Sequence, residues 1–228
     1  LEHDGWAEWE VDVPVDGLYH IGIVYDSDND RAIDISRGLQ IDGAYPFAEA
    51  ETLRLKREFV HAAYPPAKDE YGHDIRPGST ERKGWKDSLL SDYSVSAQPL
   101  YWPLSKGKHT IRLVYNNEPM QLKALYLAAP NVPPAYGDAE RAAPQDDEGD
   151  WYAIFEAENV AAKSNPSIQL QSIDSALMSP EPNGKTLYNA IGGEQFRRTG
   201  EWIEWEIEVP SDGHYVIGFK YLQAYLNN

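Results

Sequence analysis

A chain of 228 residues, 42% hydrophobic and 12% aromatic, has enough apolar material for one large domain or two small ones. Its 37 acidic against 20 basic residues give a formal net charge of -17, which excludes the basic footprint of a nucleic-acid binder and disfavours anionic membrane surfaces. With Cys 0 there are no disulfides or cysteine metal sites, and no apolar run is long enough to span a bilayer.

The chain opens on Gly5–Tyr25, GWAEWEVDVPVDGLYHIGIVY. Ala7, Trp9, Val11 and Val13 alternate with Trp6, Glu8, Glu10 and Asp12, and period-2 alternation predicts a strand with the first set inside. Pro14 to Gly17 supplies turn chemistry and the alternation resumes, so the segment is expected to be a half-buried antiparallel hairpin. Asp26-Ser27-Asp28-Asn29-Asp30 is a polar loop that lacks the glycine and distal glutamate of an EF-hand, so solvated loop outweighs Ca²⁺ site. Leu39-Gln40-Ile41 reads as a strand ending in a tight Asp42-Gly43 turn. From about 49 to 98 the pattern breaks into an insertion of mixed charge and aromatics, including Tyr64-Pro65-Pro66 and Trp85, of the length that is either functional or disordered.

Tyr101–Leu104, the turn Ser105–Lys108 and His109–Tyr115 predict a second hairpin, and Gln121–Leu127 a closing strand. Residues 131–150 read as a proline-rich acidic linker. A second unit, 151–228, begins with the strand pattern Trp151–Glu158 and reaches Gly200–Tyr221, GEWIEWEIEVPSDGHYVIGFKY, a near-copy of the opening segment. Trp6 aligns with Trp202, Trp9 with Trp205, Glu10 with Glu206 and Tyr19 with Tyr215. The expectation is therefore an all-β protein of tandem modules, with the chain ends truncating both copies. The first module, 1–130, lacks its leading strand, and the second lacks the counterpart of 26–130. The edge left open in the first module is expected to be filled by Ala153–Glu158. No signal peptide is seen, which leaves a mature protein, an excised fragment or a cytosolic one.

The glutamates Glu8 and Glu10, or Glu204, Glu206 and Glu208, are spaced for a two-carboxylate glycosidase, but alternating glutamate is the ordinary dress of a solvated strand face. An exposed row lacks the burial that raises a general acid's pKa, so no catalytic residue is expected. The six histidines show no metal spacing, and no phosphate loop or nucleophile elbow occurs.

The strand Phe155-Glu156-Ala157-Glu158, the Gly-Glu-Trp-Ile-Glu-Trp-Glu-Ile strand, Pro-Ser-Asp-Gly-His-Tyr and Lys106–Leu113 resemble the carbohydrate-binding-module superfamily, notably families 6 and 35. With Asp42-Gly43 and Pro46–Glu51, the pattern is also similar to tandem modules in the extracellular solute-binding lipoproteins of Gram-positive ABC sugar transporters. The resemblance implies a jelly-roll β-sandwich acting as a non-catalytic accessory module of an exported sugar-uptake protein, extracellular or attached to the cell envelope. It implies oligo- or polysaccharide and neighbouring modules as partners. Sugar-stacking candidates are Trp6, Trp85, Trp102 and Trp202, and Glu156 and Glu158 match the Glu-x-Glu that helps hold a structural Ca²⁺ in the family. The family's partner aspartate would lie beyond Asn228, leaving that site incomplete. The other readings are a structural spacer with no ligand and an accessory module of a glycoside hydrolase.

Overall fold

The structure, a computed structural model, describes residues 5–27, 31, 33–92, 98–131, 133, 135–138 and 151–222. The expected linker at 131–150 and part of the 26–30 loop therefore lie largely outside the described residues. Fourteen strands occur among the described residues. In chain order they are β1 (Trp6–Val13), β2 (Gly17–Ser27), β3 (Ile35–Ile41), β4 (Leu53–Leu55), β5 (Phe59–His61), β6 (Ser79–Glu81) and β7 (Lys86–Leu89). Then come β8 (Trp102–Leu104), β9 (Gly107–Asn117), β10 (Met120–Ala128), β11 (Ala162–Lys163), β12 (Gln169–Gln171), β13 (Ala190–Gly192) and β14 (Ile203–Glu204). The protein is nearly all-β, as its composition and alternation predict, and every pairing is antiparallel.

Two sheets build the first unit, in the orders β1-β9-β3-β4 and β10-β2-β7, with β8 also on β2. The alternation in β1 is real: Glu8 and Glu10 point outward, Val13 is buried, and Trp9 and Val11 are half-buried against the core. The hairpin expectation is overturned, because β1 pairs with β9 and β2 with β10, β7 and β8. Residues 14–16 carry the chain from one sheet to the other, and the link from β8 to β9 does the same, so the second expected hairpin is also an arch. The two arches lie side by side. Val13 pairs with Gly107, Gly17 pairs with Leu104, and Asp16 Oδ1 accepts the Lys106 N–H at 2.6 Å. The physical reason is that alternation marks an inner and an outer face, and strands of both sheets have one of each. The Asp42-Gly43 turn forms as expected, with φ of 52° and 82° and reciprocal Ile41–Ala44 hydrogen bonds of 2.9 and 3.1 Å.

Ile21, Ile23, Tyr25, Leu90 and Trp102 from one sheet meet Ile35, Leu39, Leu53, Ile111 and Leu113 from the other in a single core, an arrangement compatible with a β-sandwich. On the opposite face of β2, Gly22 lies directly across from Tyr126, whose ring covers it and donates a 2.5 Å hydrogen bond to Asp87. A Cβ at Gly22 would collide with that ring. Gly22→Ala is therefore expected to displace Tyr126 and cost about 1–3 kcal/mol in chemical denaturation. Gly218, its counterpart in the second copy, has open space around it, and Gly218→Ala should be near neutral.

The described part of the insertion, up to residue 92, is structured. Tyr25 donates its hydroxyl to the Lys56 carbonyl at 2.5 Å, and Arg57 forms a two-pronged pair with Glu81 at 2.6 and 3.1 Å. Only 2% and 5% of those two side chains is exposed. The pair clamps β5 and β6, which enter a third sheet in the order β14-β11-β5-β6. Insertion and second unit thus share one sheet through Lys163 on Phe59 and Ala162–Lys163 on Ile203–Glu204. This corrects the expected strand exchange, since residues 151–158 form no strand and pair with neither unit. The second copy is strand only at Ile203–Glu204. Beyond it Ile207, Val209, Ile217, Phe219 and Tyr221 are exposed, because no strand among the described residues lies beside 205–222.

Candidate functional site

The third sheet positions a cleft. Ser164 N–H donates to the Trp202 carbonyl at 3.0 Å and Ala161 N–H to the Glu204 carbonyl at 2.8 Å, then the two segments part. Trp205 emerges from the end of β14, and its indole N–H donates to the Ala157 carbonyl at 2.8 Å, which fixes the ring. Opposite stands Tyr64, just after β5, with its ring stacked on His61. With Ile154, Phe155, Glu156, Asn159 and Glu206 they line a volume of about 240 Å³. That is below the roughly 300–1,000 Å³ of pockets that enclose drug-sized ligands, and it suits one small ring.

Polar groups crowd behind the aromatic wall. Glu158 is 3% exposed, its Oε2 has no hydrogen-bond partner, and burial raises its carboxyl above the usual range. His61, half-buried with an unpartnered Nε2, is lowered to about 4 by burial and then by the charge of Lys163, so it is neutral at pH 7. Lys163 is fully buried, lowered by burial to about 8, and donates to the Ile168 carbonyl. The Tyr64 hydroxyl is raised, first by burial and then by Glu158, Glu156 and Asp74. Glu156 is held by Ser179, which donates to its Oε1 at 2.8 Å.

The four candidate tryptophans are not brought together. Trp102 is fully buried, tilted 42° against Phe47, so it is a core residue and no sugar platform; the β8 alternation that buries it belongs to the inner face of the second sheet. Trp6 is 52% exposed on β1, but the Arg112 guanidinium lies 4.1 Å from its ring centre while also bonding Glu8 at 2.9 Å. Trp85, just before β7, is half-exposed with Lys123 Nζ at 5.7 Å. Trp202 is half-buried, and its backbone N–H donates to Ser164 Oγ at 2.9 Å. Glu156 and Glu158 share a short turn, and among the described residues no group of three His, Asp or Glu is arranged to hold a metal. The half-buried Trp205, expected in a core, and Tyr64 and Phe155 are what the sequence reading missed. The one signal pointing to Tyr64 and Phe155 is the aromatic content of the insertion and the 151–158 segment. Comparison with protein families, curated proteins and solved structures finds no match.

Proposed function

We propose that this chain is a non-catalytic carbohydrate-binding accessory module of an exported sugar-uptake protein, with tandem jelly-roll units and an extracellular or envelope-attached location. The observation that supports it is the cleft lined by the aromatic side chains of Trp205, Tyr64 and Phe155 together with the acceptors Glu156, Asn159 and Glu206. Sugars present an apolar C–H face and a rim of hydroxyl donors, and a rigid aromatic with flanking carboxylates complements both. Binding rather than hydrolysis is favoured because Glu158, the carboxyl that burial raises above the usual range, is buried and does not line the cleft. A general acid must reach the glycosidic oxygen. The acid-rich strand faces, Glu8 with Glu10 and Glu204 with Glu206, are exposed.

Calorimetric titration with a panel of soluble polysaccharides and their oligomers tests the proposal. Trp205→Ala is expected to weaken binding at least about tenfold, or 1.4 kcal/mol, and Trp6→Ala to leave it unchanged. No reducing ends should appear on prolonged incubation. Failure of the whole panel to bind would favour the second reading, a ligand-free spacer or interaction module, which the exposed apolar side chains of 207–222 support.

A further inference from the structure

The two copies of the repeated strand are paired along opposite edges. In β1 the Gly5 carbonyl accepts the Tyr115 N–H at 2.8 Å, and Ala7, Trp9 and Val11 lie across from Leu113, Ile111 and His109. Backbone groups alternate between the two edges of a strand, so it is this set of residues that turns its N–H and C=O groups to β9. In the second copy the other set is used. The Trp202 and Glu204 carbonyls, at the positions of Trp6 and Glu8, accept from Ser164 and Ala161. Pairing with β11 thus leaves Ile203, Trp205 and Ile207, the counterparts of Ala7, Trp9 and Val11, facing an open edge. Neither Trp205 nor Ile207 has a backbone hydrogen-bond partner among the described residues.

The first copy shows what chemistry fits that edge. Arg112 of β9 donates to Glu8 at 2.9 Å and lies over the Trp6 ring, and Lys108 donates to Glu10 at 2.6 Å. Between them Ile111 and Leu113 of β9 are fully buried in the core. The second copy repeats the row to be matched, with Trp202, Glu204 and Glu206 for Trp6, Glu8 and Glu10. Its apolar row is uncovered, Ile207 being 48% and Val209 42% exposed. We propose that the open edge at 203–207 takes an extended segment of another protein as an added antiparallel strand. That segment has the pattern of β9: two basic side chains four residues apart on its outer face, and branched apolar side chains at alternate positions on its inner face. Ladder hydrogen bonds supply affinity in such strand addition, and the alternating side chains supply specificity. A folded second copy of this chain is not the occupant, because its β9 is already held on both edges by β1 and β3. The proposal does not depend on the carbohydrate reading.

The probe is a synthetic peptide with the sequence of residues 106–117, titrated into the full chain by fluorescence anisotropy. It is expected to bind and to slow amide hydrogen exchange at Ile203, Trp205 and Ile207, with no change at Ala7, Trp9 and Val11, which β9 already holds. Ile207→Pro removes an N–H on the open edge alone, a position where proline is tolerated in a strand. It should weaken binding at least about tenfold by removing a ladder bond and its neighbours' register, and leave the melting temperature unchanged. Lys108→Glu in the peptide should weaken binding by a similar factor, and Glu206→Lys in the protein should restore it. A peptide of the same composition in scrambled order measures general attraction to a chain of net charge -17. Equal binding of the scrambled peptide, no rescue by Glu206→Lys, or protection confined to other residues overturns the proposal. So does absence of binding. Self-association of the protein alone in sedimentation, with the same three amides protected, would mean that the edge takes a second copy, and the proposal would be wrong.

Discussion

Glu81→Ala is expected to lower the unfolding free energy by about 3–5 kcal/mol, the usual cost of leaving one partner of a buried ion pair uncompensated. Glu81 accepts from both Arg57 nitrogens and from Ser27 Oγ at 2.5 Å, and Lys83 and Lys86 approach at 3.4 and 3.9 Å. Arg57 also donates to the Ile33 carbonyl at 2.6 Å, so the pair ties the insertion to β2 and to the approach of β3. Removing the carboxylate strands a guanidinium that is 2% exposed. Glu8→Ala removes an outward pair with Arg112 and should cost no more than about 1 kcal/mol. Equal losses for the two variants in urea melts would mean that the insertion is not anchored by this pair.

The same group predicts a pH dependence. Burial pushes the Glu81 carboxyl up, but hydrogen bonds from Arg57 and Ser27 and the Arg57 charge outweigh it and hold it below the ordinary range. A carboxyl depressed in the folded state stabilises the protein above its unfolded value, about 4.3. That contribution is lost as pH falls from there through the folded value. The wild-type chain should therefore lose stability on acidification below about pH 4.3, and Glu81→Gln should show a shallower decline over the same window.

Trp102→Ala is expected to cost about 3–5 kcal/mol, the range for emptying a fully buried large aromatic site. Its side chain is 0% exposed and shares the core with residues of both sheets. Trp205→Ala, expected from alternation alone to cost as much, should cost far less, because Trp205 is half-buried and outside that core. It should reduce glycan binding instead. A Trp205 variant that melts as early as the Trp102 variant would show that the two residues are in the wrong roles.

The contrast between the two copies separates what is written locally from what is not. Tyr19 donates to the Val15 carbonyl at 2.8 Å, and its counterpart Tyr215 donates to the Ser211 carbonyl at 2.7 Å. That contact spans four residues, so the sequence alone determines it, and it forms in both copies. The strands flanking it depend on partners far along the chain. Trp6–Val13 finds β9 about a hundred residues away, whereas 205–222 has no neighbouring strand among the described residues and stays out of any sheet. By itself the sequence determined the all-β class, the outward glutamates of β1, the Asp42-Gly43 turn and the strands β9 and β10, because side-chain alternation and turn chemistry act over a few residues. Only the tertiary structure decided that 14–16 and 105–106 cross between sheets, that Trp102 lies inside, and that Arg57 and Glu81 clamp the insertion. It also placed Tyr64 beside Phe155 and Trp205. Each of these is a pairing between distant segments, settled by which inner faces meet and which buried charges find a counter-charge.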